Sequence, residues 1–188
     1  MPCNPALLAM VMGFFTEVTM SRLLLLVVTA IFGSAPGYAG SSNPFRVEAT
    51  NASIAPSEVG EVAVVIRVPA DHHLYRDMMV VHPQVLRFQE ASASAAPTVV
   101  APGAHGHLSI GAPSFPPGFT KPDPADPSAT REQYDMDVHV QIPVTAAARA
   151  GTYTLEFEVE YQGCKKSLCW MPQSERVEST ITVREKAR

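Results

Sequence analysis

Residues 161–172 have the sequence YQGCKKSLCWMP, and a strand-like stretch lies on each side of them. Before them, residues 153–161 alternate between apolar or aromatic side chains and polar ones, most of which are glutamates. After them, residues 177–184 alternate in a similar way. A period of two is typical of a half-buried strand, and a glycine and a proline mark the join. The sequence therefore predicts a β-hairpin with Cys164 and Cys169 on facing sides of its mouth.

The two cysteines of this hairpin are placed to form a disulfide bond. Facing residues of an antiparallel pair have Cα atoms about 4.5–5.5 Å apart, and disulfides accept separations of about 4.4–6.8 Å. Closing so short a loop restricts the unfolded chain by only about 2 kcal/mol. A purely structural bond would contribute more between distant strands, so this weak gain favours redox chemistry.

The residues around the first sulfur bear on its reactivity. Lys165 and Lys166 adjoin Cys164, and positive neighbours favour the thiolate, which is the attacking species. However, four residues between the cysteines match neither a thioredoxin-type C-x-x-C motif nor a zinc pattern. At this point an inert hairpin disulfide in a secreted domain is an equal alternative.

Residues 1–39 have the features of a signal peptide. Arg22 supplies a positive charge, residues 23–32 form an unbroken apolar run, and small residues end the segment. The apolar run is too short for a comfortable membrane span. We expect cleavage at the end of this segment, followed by export. Residues 1–19 fit the pattern poorly because an acidic residue precedes Arg22, so Met20 is an alternative start.

Residues 40–188 form the predicted mature chain, which is long enough for one domain with a sizeable core. The net charge of the whole chain is −4, and no basic cluster indicates binding to nucleic acid. The two cysteines left after cleavage fit an oxidising compartment. Turn residues separate many short apolar runs, which predicts an all-β, antiparallel sandwich. Besides the two strands of the hairpin, the predicted strands are residues 45–47, 62–68, 74–81, 85–88, 98–100, 107–110 and 138–144.

Two stretches interrupt this β pattern. Residues 91–97 are small and polar, and they are predicted to form a loop without chemistry. Residues 112–130 contain six prolines, which we expect to preclude regular strand pairing. A loop of that length in a compact domain is either functional or disordered.

Three segments carry a resemblance to a known family. They are the cysteine segment at 161–172, the sequence HHLYR at residues 72–76, and Glu132-x-Tyr134 leading to residues 140–144. In this order they resemble the periplasmic N-terminal domain of the thiol:disulfide interchange protein DsbD. The resemblance implies an immunoglobulin-like antiparallel β-sandwich.

The same resemblance assigns a role to the proline-rich segment. In that family the position of residues 112–130 holds a cap loop, which shields the cysteine pair until a partner displaces it. The family's loop presents an aromatic residue after acidic ones. Here Asp123 and Asp126 supply the acids and the aromatic residue is missing. Phe115 and Phe119, which lie upstream, are the candidate substitutes.

Further site residues also follow from the resemblance. His73 and Tyr75 match positions that line the active site beside the cysteines, although such strand residues often belong to the core or its rim. We expect Trp170 to be an exposed docking aromatic, with packing of the hairpin as the alternative. The resemblance implies that Cys169 forms the mixed disulfide and Cys164 resolves it. The adjacent lysines favour the opposite order.

The function implied by the resemblance is periplasmic thiol–disulfide exchange of the protein-disulfide reductase type. Electrons would come from a membrane-embedded thiol reductase of the DsbD or CcdA type. The acceptors would be periplasmic thioredoxin-like proteins or disulfide isomerases, including those of cytochrome c maturation. No cofactor, metal, nucleic acid or small-molecule substrate is expected. The first alternative is a redox-inert secreted binding module in which the same disulfide is structural.

A periplasmic copper-binding protein is the second alternative. Histidine and methionine are suitable ligands for copper, and two histidines flank Gly106 as the tightest pair. Loop histidines are usually solvated, however, and no cysteine or methionine adjoins that pair. The candidate ligands are His72, His73, His82, His105, His107, His139, Met78, Met79 and Met171.

Overall fold

The computed structural model describes residues 42–123, 126–146 and 149–185. The chain from Asn43 onward forms one compact unit. The predicted signal peptide lies outside the described residues. Within the described part of the chain, no helix is long and apolar enough to cross a membrane.

The described residues form strands joined by turns and two single-turn 3₁₀ helices, Arg76–Met78 and Ala104–Gly106. The predicted all-β class is therefore confirmed. The strands are β1 (Arg46–Ala49), β2 (Ala52–Ile54), β3 (Val59–Arg67), β4 (His72–Tyr75), β5 (Val80–Glu90), β6 (Thr98–Val100), β7 (Ser109–Ile110), β8 (Phe119–Pro122), β9 (Thr130–Tyr134), β10 (Val138–Thr145), β11 (Gly151–Tyr161), β12 (Gly163–Lys165), β13 (Leu168–Cys169) and β14 (Gln173–Val183).

Two sheets enclose the hydrophobic core. One has the strand order β1–β3–β10–β7, and the other has the order β2–β14–β11–β5–β6. Buried and solvated side chains alternate along β10 and β11, and the inward-facing ones, such as Ile142 and Phe157, join a single buried cluster. Burying a side chain of this size stabilises the folded state by about 1.5–3 kcal/mol relative to leaving it exposed. Apart from β2, which pairs with β14 in parallel, the pairing is antiparallel, as predicted.

A third sheet, which we call the cysteine sheet, has the order β13–β12–β4–β9–β8. Its strand β12 follows β11 after a single residue, Gln162, so the end of the sandwich leads directly into it. Leu74 of β4 and Tyr134 of β9 pair with each other and belong to the buried core. Because side chains alternate along a strand, His73 and Tyr75 lie on the opposite face of this sheet.

The predicted separation of residues 74–81 and 85–88 into two strands, with His82 and Pro83 between them, is wrong. Strand β5 runs through both residues without interruption. Pro83 pairs with Phe157 where the register between β5 and β11 shifts, and a β-bulge of this kind tolerates a proline. On its other side, β5 pairs with β6 only over residues 86–88. No ladder hydrogen bond is therefore lost at Pro83 on that side.

The expectation that prolines preclude strand pairing over residues 112–130 is also wrong in part. Phe119–Pro122 forms β8 and pairs in register with β9. Strand β8 is an edge strand and Pro122 is its last residue, which is a position where a proline costs little. Strands β8 and β9 therefore pair within the cysteine sheet, and we call their described residues, 119–123 and 126–134, the proline hairpin.

Candidate functional site

The redox candidates lie on a tight hairpin formed by β12 and β13. Cys164 and Cys169 face each other in register and are joined by a disulfide bond. Their Cα atoms are 3.9 Å apart, which is closer than expected. The Trp170 N–H donates to the Gly163 C=O at 2.9 Å, so the cysteines form a non-hydrogen-bonded pair, the type with the shorter Cα separation. The facing arrangement predicted from the sequence is confirmed.

The two cysteine residues differ in their access to solvent. Cys164 is 0% exposed and pairs with His73 of the central strand β4. Cys169 is exposed and lies on β13, which is the edge strand of the cysteine sheet. In a non-hydrogen-bonded pair each residue points its own N–H and C=O away from its partner, so the Cys169 backbone faces the open edge. An incoming sulfur can reach Cys169, whereas Cys164 is screened.

The two lysines beside Cys164 are exposed. Lys165 follows Cys164 on the same strand, so its side chain points to the opposite face. Lys166 lies in the turn with a φ of 54°, a left-handed conformation that is uncommon for a residue with a side chain. Solvent and salt screen charges placed in this way. The lysines therefore give little support to Cys164 as the attacking thiol.

A polar and aromatic cluster covers the cysteine sheet on the face of the disulfide. His73 and Tyr75 are both buried, with ring centroids 5.0 Å apart. The Tyr75 hydroxyl donates to the Asp123 carboxylate at 2.9 Å. Arg131 holds its guanidinium carbon 3.8 Å from the centroid of the Tyr75 ring and a guanidinium nitrogen 3.7 Å from the Asp123 carboxylate. The proline hairpin thus supplies two charged groups to the site.

The two acids expected from the resemblance have different roles in the structure. Asp123 is buried at the end of β8, where its backbone N–H donates to the Ala129 C=O at 2.9 Å. Asp126 is exposed, and its carboxylate accepts hydrogen bonds from the backbone N–H and hydroxyl of Ser128 at 3.1 and 2.6 Å. Asp126 therefore stabilises the turn, whereas Asp123 reaches the polar cluster.

Comparison with known proteins places this arrangement in a family. The sequence model described as "Thiol:disulfide interchange protein DsbD, N-terminal" matches residues 44–181. The chain belongs to the DsbD N-terminal family. The match runs from the strand β1 region through the cysteine hairpin and into β14, so it includes the whole candidate site.

Solved structures similar to this DsbD N-terminal domain include two from Neisseria meningitidis. The DsbD N-terminal domain in its reduced form is 19% identical, with a TM-score of 0.38, over 65% of this chain and 83% of that chain. The complex between the DsbD N-terminal and PilB N-terminal domains gives 20% identity and a TM-score of 0.44, over 76% of this chain and 87% of that chain. No curated protein matches the chain. The immunoglobulin-like β-sandwich implied by the resemblance is the fold of this domain.

Trp170 packs against the body of the DsbD N-terminal domain. Its ring centroid lies 5.9 Å from that of Phe45 and 5.2 Å from that of His72, and its indole nitrogen is buried. Beneath the same ring cluster, Gly163 has no room for a side chain, since a Cβ there would lie 2.0 Å from Phe45 Cε2. Trp170 is partly buried, and these contacts favour the packing alternative, while its role in docking stays a prediction.

The two upstream phenylalanines, which are the candidate substitutes for the cap aromatic of the DsbD N-terminal family, lie in different environments. The Phe115 ring packs against the core and lies 3.7 Å from the Arg76 guanidinium carbon. Phe119 is 48% exposed on β8, three strands from β12 in the cysteine sheet, which is a distance of roughly 14 Å. The cover on the disulfide face comes instead from the polar cluster.

Arg131 and Gln133 have no counterpart among the site residues predicted for this DsbD N-terminal domain. Arg131 donates to the Asp77 carboxylate at 2.6 Å as well as contacting the polar cluster, and Gln133 is 4% exposed. Their alternation along residues 130–134 places them on the face of the disulfide. The alternation along residues 130–134 would therefore identify Arg131 and Gln133 as site residues only if β9 were already known to belong to the cysteine sheet.

No group of three or more histidine, cysteine, aspartate or glutamate side chains that could hold a metal ion occurs among the described residues. His107 is buried, with its Nδ1 3.3 Å from the Tyr153 hydroxyl and its ring centroid 4.9 Å from that of Phe88. His107 therefore packs with aromatic residues of the second sandwich sheet. The side chain of His105, its partner in the copper hypothesis, lies outside the described residues.

Removing the Tyr75 hydroxyl is expected to destabilise the oxidised protein. Burial and the hydrogen bond to Asp123 raise the pKa of Tyr75 to about 12, so the hydroxyl keeps its proton at neutral pH. Hydrogen bonds to charged groups contribute about 1.5–3 kcal/mol and neutral ones about 0.5–1.5 kcal/mol. Tyr75→Phe should therefore lower the free energy of unfolding more than Tyr134→Phe, which loses only a 2.7 Å bond to the Pro116 C=O.

Denaturant unfolding of both variants and the wild type at pH 7 and pH 11 measures this difference. An unfolded tyrosine ionises near pH 10, whereas the folded Tyr75 does not. Its contribution is therefore complete below about pH 10 and is lost as the pH rises towards about 12. Equal losses in the two variants at pH 7 would contradict a charged partner for Tyr75.

Proposed function

We propose that this chain is a periplasmic thiol–disulfide exchange domain, exported by the signal peptide at residues 1–39. It carries electrons from a membrane-embedded thiol reductase to exported acceptor proteins. The observation that supports this most directly is a disulfide between one buried cysteine and one exposed cysteine at the open edge of a sheet. Membership of the DsbD N-terminal family supports the same activity.

The proposed reaction begins at the exposed cysteine of the reduced domain. The Cys169 thiolate attacks one sulfur of the acceptor disulfide, and a bond from Cys169 to the acceptor forms while the acceptor bond breaks. The second acceptor sulfur leaves as a thiolate with the electron pair. Cys164 then loses its proton and attacks Cys169, which re-forms the intramolecular disulfide and releases the first acceptor sulfur as a thiolate. The acceptor gains two electrons, and a donor dithiol reduces the domain again by the reverse steps.

The proposed acceptors are thioredoxin-like proteins or disulfide isomerases. A DsbD N-terminal domain of Neisseria meningitidis forms a complex with the PilB N-terminal domain, which supports a protein domain as the acceptor. Leu168 is 77% exposed and Met171 is 78% exposed, and they flank Cys169 in sequence on either side. Exposed apolar side chains of this kind are suited to protein contact, and they would hold an acceptor close during exchange.

The polar cluster is proposed to fix the surroundings of the buried sulfur. Tyr75, Asp123 and Arg131 contact one another across β4 and the proline hairpin. The Arg131–Asp77 hydrogen bonds tie the same hairpin to the 3₁₀ turn after β4. The cluster thereby keeps solvent away from Cys164 while leaving Cys169 accessible.

The reduction potential of the cysteine pair should lie above about −300 mV, because structural disulfides of secreted proteins lie below that value. The oxidised domain is equilibrated in dithiothreitol buffers of known ratio, its free thiols are alkylated, and the adducts are counted by mass spectrometry. A variant lacking both cysteines reports the background. A potential well below about −300 mV would instead favour the redox-inert binding module.

A further inference from the structure

The His73 imidazole has a buried nitrogen without a hydrogen bond. His73 is 8% exposed, and its Nε2 has no hydrogen-bond partner among the described residues. Leaving a buried polar atom unsatisfied costs about 1–3 kcal/mol, so its retention points to a role. A histidine nitrogen can accept a proton near neutral pH, which an indole nitrogen such as that of Trp170 cannot do.

The strand register places His73 beside the buried cysteine. His73 of β4 lies directly opposite Cys164 of β12 in the register. Residues opposed in this way point their side chains to the same face, with Cβ atoms about 4.5–5.5 Å apart. The imidazole and the Cys164 side chain are therefore neighbours on the face of the disulfide.

The resolving step needs a proton acceptor in this space. Cys164 is 0% exposed, so bulk water does not reach its thiol. Burial disfavours the thiolate, yet only the thiolate can attack the mixed disulfide. Lys165 and Lys166 are exposed, and the side chain of Lys165 points to the other face of the sheet.

We propose that His73 Nε2 accepts the Cys164 proton during resolution and returns it when the domain is reduced. This inference rests on the proposed exchange function. As the proton moves to Nε2, the Cys164 sulfur uses its electron pair to bond to Cys169, and the acceptor sulfur leaves Cys169 as a thiolate. In the reverse direction a donor thiolate attacks Cys169, and the departing Cys164 thiolate takes the proton from the imidazolium. His73 transfers a proton and no electrons.

The charges around His73 suit this exchange of a proton. Burial lowers the pKa of His73, so the ring is neutral and able to accept a proton at pH 7. Asp123 and Asp135 act in the opposite direction and would stabilise the transient imidazolium. Lys121 opposes them, but it forms an ion pair with Asp135. The titratable groups that lie beside the ring or act on it electrostatically are Asp123, Asp135, Lys121, Tyr75 and Cys164, together with His72 from the opposite face of β4.

A two-step chemical reaction separates the roles of the two cysteines. The reduced domain is mixed with dithiobis(nitrobenzoate), which releases one coloured thiolate when Cys169 attacks and a second when Cys164 resolves. His73→Gln should slow the second release at pH 7 by about 10-fold or more, since a positioned base contributes about 10²–10⁴-fold. The first release should stay near the wild-type rate.

The matched control is His72→Gln on the same strand. The His72 side chain lies on the opposite face of β4, against Trp170, and this variant should show wild-type rates for both releases. An unchanged second release in His73→Gln, or equal slowing of both releases, would overturn the role of His73 and leave exchange intact. A wild-type domain that releases only one thiolate would overturn the exchange function itself.

The pH profile of the wild type tests the same role without relying on the folding of a variant. With a histidine base, the rate of the second thiolate release should be constant from pH 7 to pH 8 and should fall at lower pH as the ring takes up a proton. Without such a base, this rate should rise about tenfold per pH unit, in proportion to the thiolate fraction of Cys164. That rise in the wild type between pH 7 and pH 8 would contradict the proposal.

Discussion

The Cys164→Ser variant is expected to accumulate a mixed disulfide with an acceptor, whereas Cys169→Ser should accumulate almost none. Cys164→Ser keeps the exposed sulfur at the edge of the cysteine sheet, so attack proceeds, but the resolving sulfur is gone and the mixed disulfide persists. In Cys169→Ser the remaining thiol is 0% exposed and is screened by the polar cluster. The contrast should be close to all-or-none.

Oxidised glutathione is a suitable probe for this contrast, because each adduct is counted by intact-mass spectrometry. Each variant is incubated with excess probe at pH 7 and quenched with acid, and the variant lacking both cysteines serves as the control. An oxidised thioredoxin-like domain, with the products separated on a non-reducing gel, extends the test to a protein acceptor. Adducts that form faster on Cys169→Ser than on Cys164→Ser would assign the attack to Cys164.

Gly163→Ala is expected to lower the free energy of unfolding by about 1–3 kcal/mol or more, the usual cost of overpacking a core. A Cβ at Gly163 would lie 2.0 Å from Phe45 Cε2 and 2.3 Å from Phe45 Cζ. Phe45 is 3% exposed and is held between the rings of His72, Tyr161 and Trp170, so it has little room to move. The hairpin that bears the cysteines would have to shift instead, and exchange should slow as well.

Denaturant unfolding of the oxidised variants tests this contact. Phe45→Leu removes the two ring atoms nearest to the added methyl group, so the double variant should lose less stability than the sum of the two single variants. Ser167→Ala in the exposed turn serves as the control and should stay within about 0.5 kcal/mol of the wild type. If the losses of the two single variants add up exactly in the double variant, the cost of Gly163→Ala does not come from contact with Phe45.

The hairpin and the sandwich were predictable because burial on one face imposes a period of two. This alternation over residues 153–161 and 177–184 is strong, and neighbouring strands in the chain commonly pair. The core residues of β3 and β10 follow the same rule. Short strands such as β2 carry too few residues to show any period, so they could not be predicted in this way.

The layout of the site depends on contacts that local patterns do not contain. Pro83 at a bulge and Pro122 at a strand end look the same in sequence as prolines in loops, so local patterns divide β5 into two segments and do not indicate β8. The burial of Cys164 depends on β4, which lies far away in the chain and provides His73. For the same reason, alternation alone could not place Arg131 beside Tyr75.

The cysteines are separated by only five positions in the chain, and their hairpin lies outside the two sheets that enclose the core. Reduction of the disulfide therefore opens only the short loop between the two cysteines and leaves the core between the two large sheets buried. The cysteine pair of such a protein can be oxidised and reduced repeatedly while the domain stays folded. Chaperones and proteases of its compartment would encounter the same folded body in both redox states.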